Sequence, residues 1–145
     1  MGAKENVLGK KAEVYVRDWF KSKRYWAFLI PKSVNGQPFD LIARKKDDIW
    51  FVDVKHLEDN KASFPFERIE PNQITSMRYA QKVADIYNNL GFIIVWERDT
   101  ERLFFIEWSE IEQLMKEGVK SKKINELKEL GKLIKYNNDE HNSNE

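Results

Sequence analysis

Apolar residues Val7, Ala12, Val14, Tyr15, Val16, Trp19 and Phe20 recur at roughly helical spacing through residues 6–21, with Lys and Arg between them, which predicts one amphipathic helix. Residues 25–30 form a short aromatic and aliphatic run stopped by Pro31, and Ser33, Val34, Asn35 and Gly36 supply turn residues, so a strand and a loop follow. Residues 39–43 and 49–54 are β-favouring runs on either side of a polar turn, Arg44-Lys45-Lys46-Asp47-Asp48, and predict a hairpin. Residues 57–70 read as irregular, with Pro65 and Pro71 as breakers. Pro71 suits the first turn of a helix that runs through Gln73, Ile74, Met77, Ala80, Val83, Ala84 and Tyr87 and stops at Asn88-Asn89-Leu90-Gly91. Residues 91–96 and 103–108 predict a second hairpin across a charged turn. Ser109, with Glu112 three residues on, reads as the N-cap of a helix to about residue 117, and residues 124–134 read as a final amphipathic helix. The expected order is α-β-β-β-α-β-β-α-α without internal repeat: an α/β fold with a central mixed β-sheet of about five strands flanked by helices. One domain is expected over residues 1–136, with 109–136 as a helical C-terminal extension and 137–145 as a disordered polar tail.

Composition narrows this little but usefully. A length of 145 residues suits one layered core, and 41% apolar with 13% aromatic residues is ample to fill it. The absence of cysteine excludes disulfides and Cys-ligated zinc. No apolar run approaches the roughly 20 residues of a membrane helix, and the first residues hold no apolar secretory segment, so a soluble cytoplasmic protein without membrane contact is expected. The net charge of +1 hides an uneven division, because residues 1–36 carry eight bases against three acids, whereas residues 137–145 carry three acids and no Lys or Arg. Such a basic end suits phosphate contacts and equally suits an ordinary solvated helix.

The chemistry lies on the first hairpin. Asp40 opens one strand and Asp53-Val54-Lys55 closes the next, so antiparallel pairing brings the two carboxylates together. Asp53 and Lys55 share a face, and Val54 points the other way. Two acids and a base at one sheet end cost several kcal/mol per ion to desolvate unless something neutralises them. A hard divalent cation does so, since two carboxylates plus water suit Mg²⁺, with Mn²⁺ able to substitute. A cation there would polarise a phosphodiester and acidify a bound water, and Lys55 would orient that water or stabilise charge at phosphorus; phosphodiester hydrolysis is the implied reaction. A turn-capping Asp40 beside an exposed Asp53–Lys55 ion pair is the plain alternative, disfavoured by the Gly36-Gln37-Pro38 turn and the apolar flanks of both strands.

Other residues keep two readings. Glu13 is either a solvated helix acid paired with Arg17 or a further acid reaching the metal shell. Gln73 either bonds a metal-bound water or phosphate, or caps its helix. Lys32, Arg44, Lys45 and Lys46 flank the expected site and either bind phosphates or solvate a turn. His56 follows Lys55 onto the opposite face and makes a poor general base. The five tryptophans are mostly core, with Trp26 and Trp50 the candidates for stacking on bases.

These residues also carry a resemblance. Ile30-Pro31-Lys32-Ser33, Pro38-Phe39-Asp40-Leu41-Ile42-Ala43 and Ile49-Trp50-Phe51-Val52-Asp53-Val54-Lys55, with Gly9-Lys10-Lys11-Ala12-Glu13 upstream, resemble the archaeal Holliday junction resolvases of the Hjc type. Ser63-Phe64-Pro65-Phe66 and Ile69-Glu70-Pro71-Asn72-Gln73-Ile74 are similar to the RecU-type bacterial resolvases, and the likeness spans roughly residues 9–108. It implies the restriction-endonuclease-like PD-(D/E)XK nuclease fold and a Mg²⁺-dependent endonuclease of DNA recombination and repair that nicks four-way junctions symmetrically as a homodimer. By that similarity Glu13, Asp40 and Asp53 are metal ligands with Val54 in the same set, Lys55 is the catalytic lysine, Gln73 an active-site helper and Ser33 a residue near the scissile phosphate. Lys10, Lys11, Lys32, Ser33, Arg44, Lys45 and Lys46 form the expected DNA-binding set. The first motif reads Pro-Phe-Asp where the Hjc pattern has Pro-Asp, and no RecU-like stalk separates Asp40 from Asp53. A less selective nuclease of the same type and an inactive DNA-binding module are the competing functions.

Overall fold

A computed structural model describes residues 3–32, 37–59, 61–84 and 91–132. The chain opens with α1 (Ala3–Ser22), followed by β1 (Trp26–Leu29), β2 (Leu41–Lys45) and β3 (Asp48–Leu57). A short strand β4 (Ser63–Pro65) and a 3₁₀ turn at Phe66–Arg68 lead into α2 (Pro71–Ala84). After β5 (Gly91–Glu97) and β6 (Arg102–Glu107) come α3 (Trp108–Lys116), β7 (Ser121–Lys123), a second 3₁₀ turn at Ile124–Glu126, and β8 (Lys128–Lys132).

Six strands form one sheet in the order β1-β2-β3-β5-β6-β8. Among the described strands only β3 and β5 run parallel, as the crossover through α2 requires, so the sheet is mixed. α1 covers one face because Ala12, Tyr15, Val16, Trp19 and Phe20 fall at i, i+3, i+4, i+7 and i+8; they pack with Leu41, Ala43, Val52, Val54, Ile94 and Leu103. On the opposite face Phe64, Phe66, Met77, Trp108 and Ile111 pack with Ile93, Val95, Phe104 and Ile106. β5, covered on both sides, is buried at every residue, and its unbroken apolar run Phe92-Ile93-Ile94-Val95-Trp96 reflects that. No helix among the described residues is long and apolar enough to cross a membrane.

The mixed sheet flanked by helices is the architecture the patterning predicts, with six strands instead of five. Four details differ. Residues 124–134 were expected as a helix, but Ile124–Glu126 is a single 3₁₀ turn and Lys128–Lys132 is a strand paired antiparallel with β6. The helical extension over 109–136 is therefore confined to α3, and residues 133–145, including the expected tail, lie outside the described residues. Part of 57–70, expected irregular, contributes β4 to a two-stranded sheet with β7. Ser109 is not an N-cap either: α3 starts at Trp108, whose indole is fully buried, and Glu107 precedes the helix without a side-chain cap. The expected continuation of α2 to Tyr87 falls on residues 85–90, outside the described set.

Candidate active site

β2 and β3 pair antiparallel with Leu41 opposite Val52, which sets Asp40, just before β2, beside Asp53. The Asp40 amide donates to the Val52 carbonyl at 2.9 Å and the Asp40 carbonyl accepts from Ile30 N–H at 3.0 Å, so its backbone is held from both neighbouring strands. Its side chain accepts the Val54 amide at 2.8 Å, which fixes the carboxylate against β3. Asp40 is 6% exposed and Asp53 0%. Full burial excludes the exposed ion pair that the bare Asp-x-Lys spacing would also permit.

Neither oxygen of Asp53 receives a hydrogen bond. Buried polar groups are almost always paired, so a carboxylate with both oxygens orphaned points to a partner of another kind. Burial raises its pKa well above the usual carboxylate range, and the Asp40 carboxylate adds to this; Lys55 pulls the other way, and the neighbouring Asp40 amide, already committed to Val52, eases it only slightly. Asp40 is raised by burial too, against the Val54 hydrogen bond and the charges of Lys55 and Lys32. Two such neighbouring buried carboxyls resist ionising together without added positive charge. A divalent cation fits this donor set. Among the described residues no group of three Asp, Glu or His side chains is placed to hold an ion, so the fit rests on the two aspartates alone.

A cleft of about 430 Å³ opens beside this pair, bordered by Glu13, Lys32, Asp40, Val54, Lys55, Arg68 and Gln73 among others. α1 brings Glu13 to its wall, and burial, then Asp40, push the Glu13 pKa up to about 7 against Lys10, Lys32 and Lys55. A smaller cavity of about 290 Å³ adjoins it and shares Gly9, Glu13 and Lys32, with Lys10 at its edge.

Gln73 caps its helix and also reaches the lysine of the site. Its side-chain oxygen accepts the Glu70 amide at 3.1 Å, the N3-to-N-cap half of a capping box, which follows from Pro71 opening α2. The same oxygen accepts the Lys55 ammonium at 2.9 Å. Gln73 therefore joins the start of α2 to the lysine on β3.

Of the expected residues, Glu13, Lys32, Asp40, Val54, Lys55 and Gln73 border one cleft, and Asp53 lies buried next to it. Lys10 reaches the adjoining cavity; Lys11 is exposed and borders neither. Ser33 lies outside the described residues. Arg44, Lys45 and Lys46 do not flank the site: Lys45 pairs with Asp48 at the far end of the hairpin, roughly 16 Å along the strand from Asp40. Trp50 is half-buried, packed against Phe20 and Phe92 at the margin of the core, whereas Trp26 is exposed. Sequence reasoning missed Glu70, whose charge raises both aspartates, and Arg68, which donates to the His56 carbonyl at 2.8 Å across the cleft. Both precede α2 in a segment with no periodicity, and their nearness to Pro71-Asn72-Gln73 was the only available signal.

A mixed sheet between helices, with two aspartates and a lysine converging at the end of its central hairpin, defines a nuclease fold of the PD-(D/E)XK type. The family model of RecU: Recombination protein U matches residues 36–141. The chain belongs to that family, and the match runs past residue 108 through α3, β7 and β8. UPF0102 protein IL0423 of Idiomarina loihiensis is 28% identical over 86 residues, which are 59% of this chain and 74% of that protein. Among solved structures, Hjc of Archaeoglobus fulgidus, a Holliday junction resolvase from an archaeal hyperthermophile, shares the fold with a TM-score of 0.51 at 12% identity, over 70% of this chain and 73% of that one.

Proposed function

We propose that this protein is a Mg²⁺-dependent endonuclease that resolves four-way DNA junctions, cutting as a homodimer. The single observation that carries the reading is the buried pair Asp40 and Asp53, adjacent across two strands, with both Asp53 oxygens unbonded, beside a lysine held in place by a glutamine. Nothing in the stability of the fold calls for that arrangement, since uncompensated buried carboxylates cost free energy. Asp40 and Asp53 would hold the cation, with Val54 and Glu13 bordering the same cleft; when bound, Mg²⁺, or Mn²⁺ in its place, supplies Lewis-acid polarisation of the phosphodiester and an acidified water. The Val54 amide fixes Asp40, so that carboxylate needs no reorganisation as reaction proceeds. Lys55, held by Gln73, places a compact positive charge where negative charge builds on the phosphoryl oxygens. Lys10, Lys32 and Arg68 border the two cavities and offer contacts to flanking phosphates.

A junction has two strands to cut symmetrically, and a two-fold pair of these sites meets that need. Family membership and the fold shared with a junction resolvase favour branched DNA over linear duplex as substrate. In competition at matched Mg²⁺, a four-way junction is expected to be cut at least about tenfold faster than a linear duplex of the same arm sequence, with gel-resolved nicks at symmetry-related positions. Equal rates on both would leave a general duplex nuclease.

A further inference from the structure

β1 is an outer strand of the sheet, and its alternation is unusual for a protein edge. Ala27 is buried under α1, while Trp26 and Phe28, on the other face, are 61% and 48% exposed. Their rings lie parallel within 5°, with centroids 5.9 Å apart. One exposed aromatic is unremarkable, but two exposed rings stacked parallel on one another form a short aromatic stack that a further ring can extend.

The surroundings are cationic. Trp26 lies directly across from Arg44. Lys23 and Arg24 precede the strand, Lys45 and Lys46 follow Arg44, and all are exposed. The two turns are tied together, since the Lys45 ammonium donates to the Lys23 carbonyl at 3.1 Å and Arg44 Nε to the Lys46 carbonyl at 2.8 Å. Of the two acids in the turn, Asp48 is engaged by Tyr25 and by Trp50 Nε1, which leaves Asp47 against five bases. The strand also leads to the site: Phe28 is paired with Ile42, and Ile30 donates to Asp40. From Ile30 to Trp26 is roughly 13 Å, about four base steps along one DNA strand.

We propose that Trp26 and Phe28, framed by Arg24, Arg44 and Lys45, form a stacking platform for unpaired or unstacked bases of the DNA strand next to the one cut at Asp40 and Asp53. The proposal rests on the DNA-cleavage reading above and adds a source of selectivity, since the branch of a junction exposes base faces and an intact duplex does not. Every base has a π face, so the platform is indifferent to sequence. A second copy of the chain is the other conceivable occupant of an apolar edge. A two-fold contact here would bring the basic turns near each other, whereas a phosphate backbone complements them.

The test uses the full chain with Ca²⁺ in place of Mg²⁺ and three fluorescent probes: a four-way junction, a single-stranded oligonucleotide and a linear duplex. The variants are Trp26→Ala/Phe28→Ala and Trp26→Leu/Phe28→Leu; the second keeps apolar surface and removes the π faces. Both are expected to lose about tenfold or more in affinity for junction and single strand, with duplex binding changed less than about twofold. Sedimentation velocity is expected to give both variants the oligomeric state of the wild type. Unchanged junction affinity in a folded variant overturns the platform while leaving the nuclease reading intact, as does full binding by the Leu pair. Conversion of the variants to a smaller species assigns the patch to a second copy and overturns it as well. A wild type that binds none of the probes removes the DNA reading itself.

Discussion

Asp53→Asn is expected to reduce junction cleavage by roughly a thousandfold or more while leaving junction affinity within about threefold. It is also expected to make the metal-free protein more stable. These effects have one cause. The Asp53 carboxyl is fully buried, unbonded at both oxygens and feels the charge of Asp40, so its ionised form is penalised in the folded state. Removing that charge relieves this penalty and is expected to raise the Tm. The pH dependence fixes the sign. A carboxyl whose folded pKa lies above its unfolded value costs nothing below the unfolded value, near 3.8, because both states are protonated. The penalty grows as pH rises toward the folded pKa and is then constant. The Tm advantage of the variant should therefore vanish near pH 4 and grow as the pH rises above it, as read by thermal denaturation in chelator. Asp40→Asn should lose cleavage equally but gain less stability, since its carboxylate accepts the Val54 amide. A folded Asp53→Asn variant that cleaves like the wild type would remove the carboxylates from the chemistry.

Lys55→Ala is expected to lower the cleavage rate by about a hundred- to a thousandfold at saturating DNA, with little change in binding. On the proposed mechanism its charge would act on the transition state, whereas Lys10 and Lys32 would act on the ground-state backbone. Gln73→Ala should be milder, about tenfold in rate, because Lys55 remains but loses its tether. The same variant loses the bond from Glu70 N–H and should cost about 0.5–2 kcal/mol of stability. Gln73→Glu restores an acceptor for both donors and separates the two roles. Recovery of Tm and rate together indicates positioning through these two hydrogen bonds, whereas recovery of Tm alone leaves Gln73 a helix cap. A Lys55→Ala enzyme with the wild-type rate would contradict the role given to the lysine.

Much of this site was legible in the residues, because it depends on one local hairpin whose register follows from its own alternation. Asp40 and Asp53 meet for the reason antiparallel strands joined by a short turn must meet at their outer ends. The same logic places Arg44, Lys45 and Lys46 at the opposite end, and reading them as flanking the site overlooked it. The C-terminal error has a different origin. Ile124, Leu127 and Leu130 recur every third residue, as on a helix, but Ile124 and Leu127 bracket a 3₁₀ turn, where i and i+3 share a side, and β8 is a strand because β6 offers it an edge. Non-local pairing of that kind leaves no mark in local periodicity. Glu70 and Arg68 were hidden likewise, since their place at the cleft comes from the crossover that carries the chain over β3 into α2.

Cleavage of an end-labelled mobile four-way junction across a Mg²⁺ titration tests the central claim most directly. The expected result is paired, symmetric nicks near the branch that appear with Mg²⁺, are abolished by chelator and return when Mg²⁺ or Mn²⁺ is restored. Cleavage that persists undiminished in chelator, or none at any Mg²⁺ concentration with a junction the protein demonstrably binds, would contradict it.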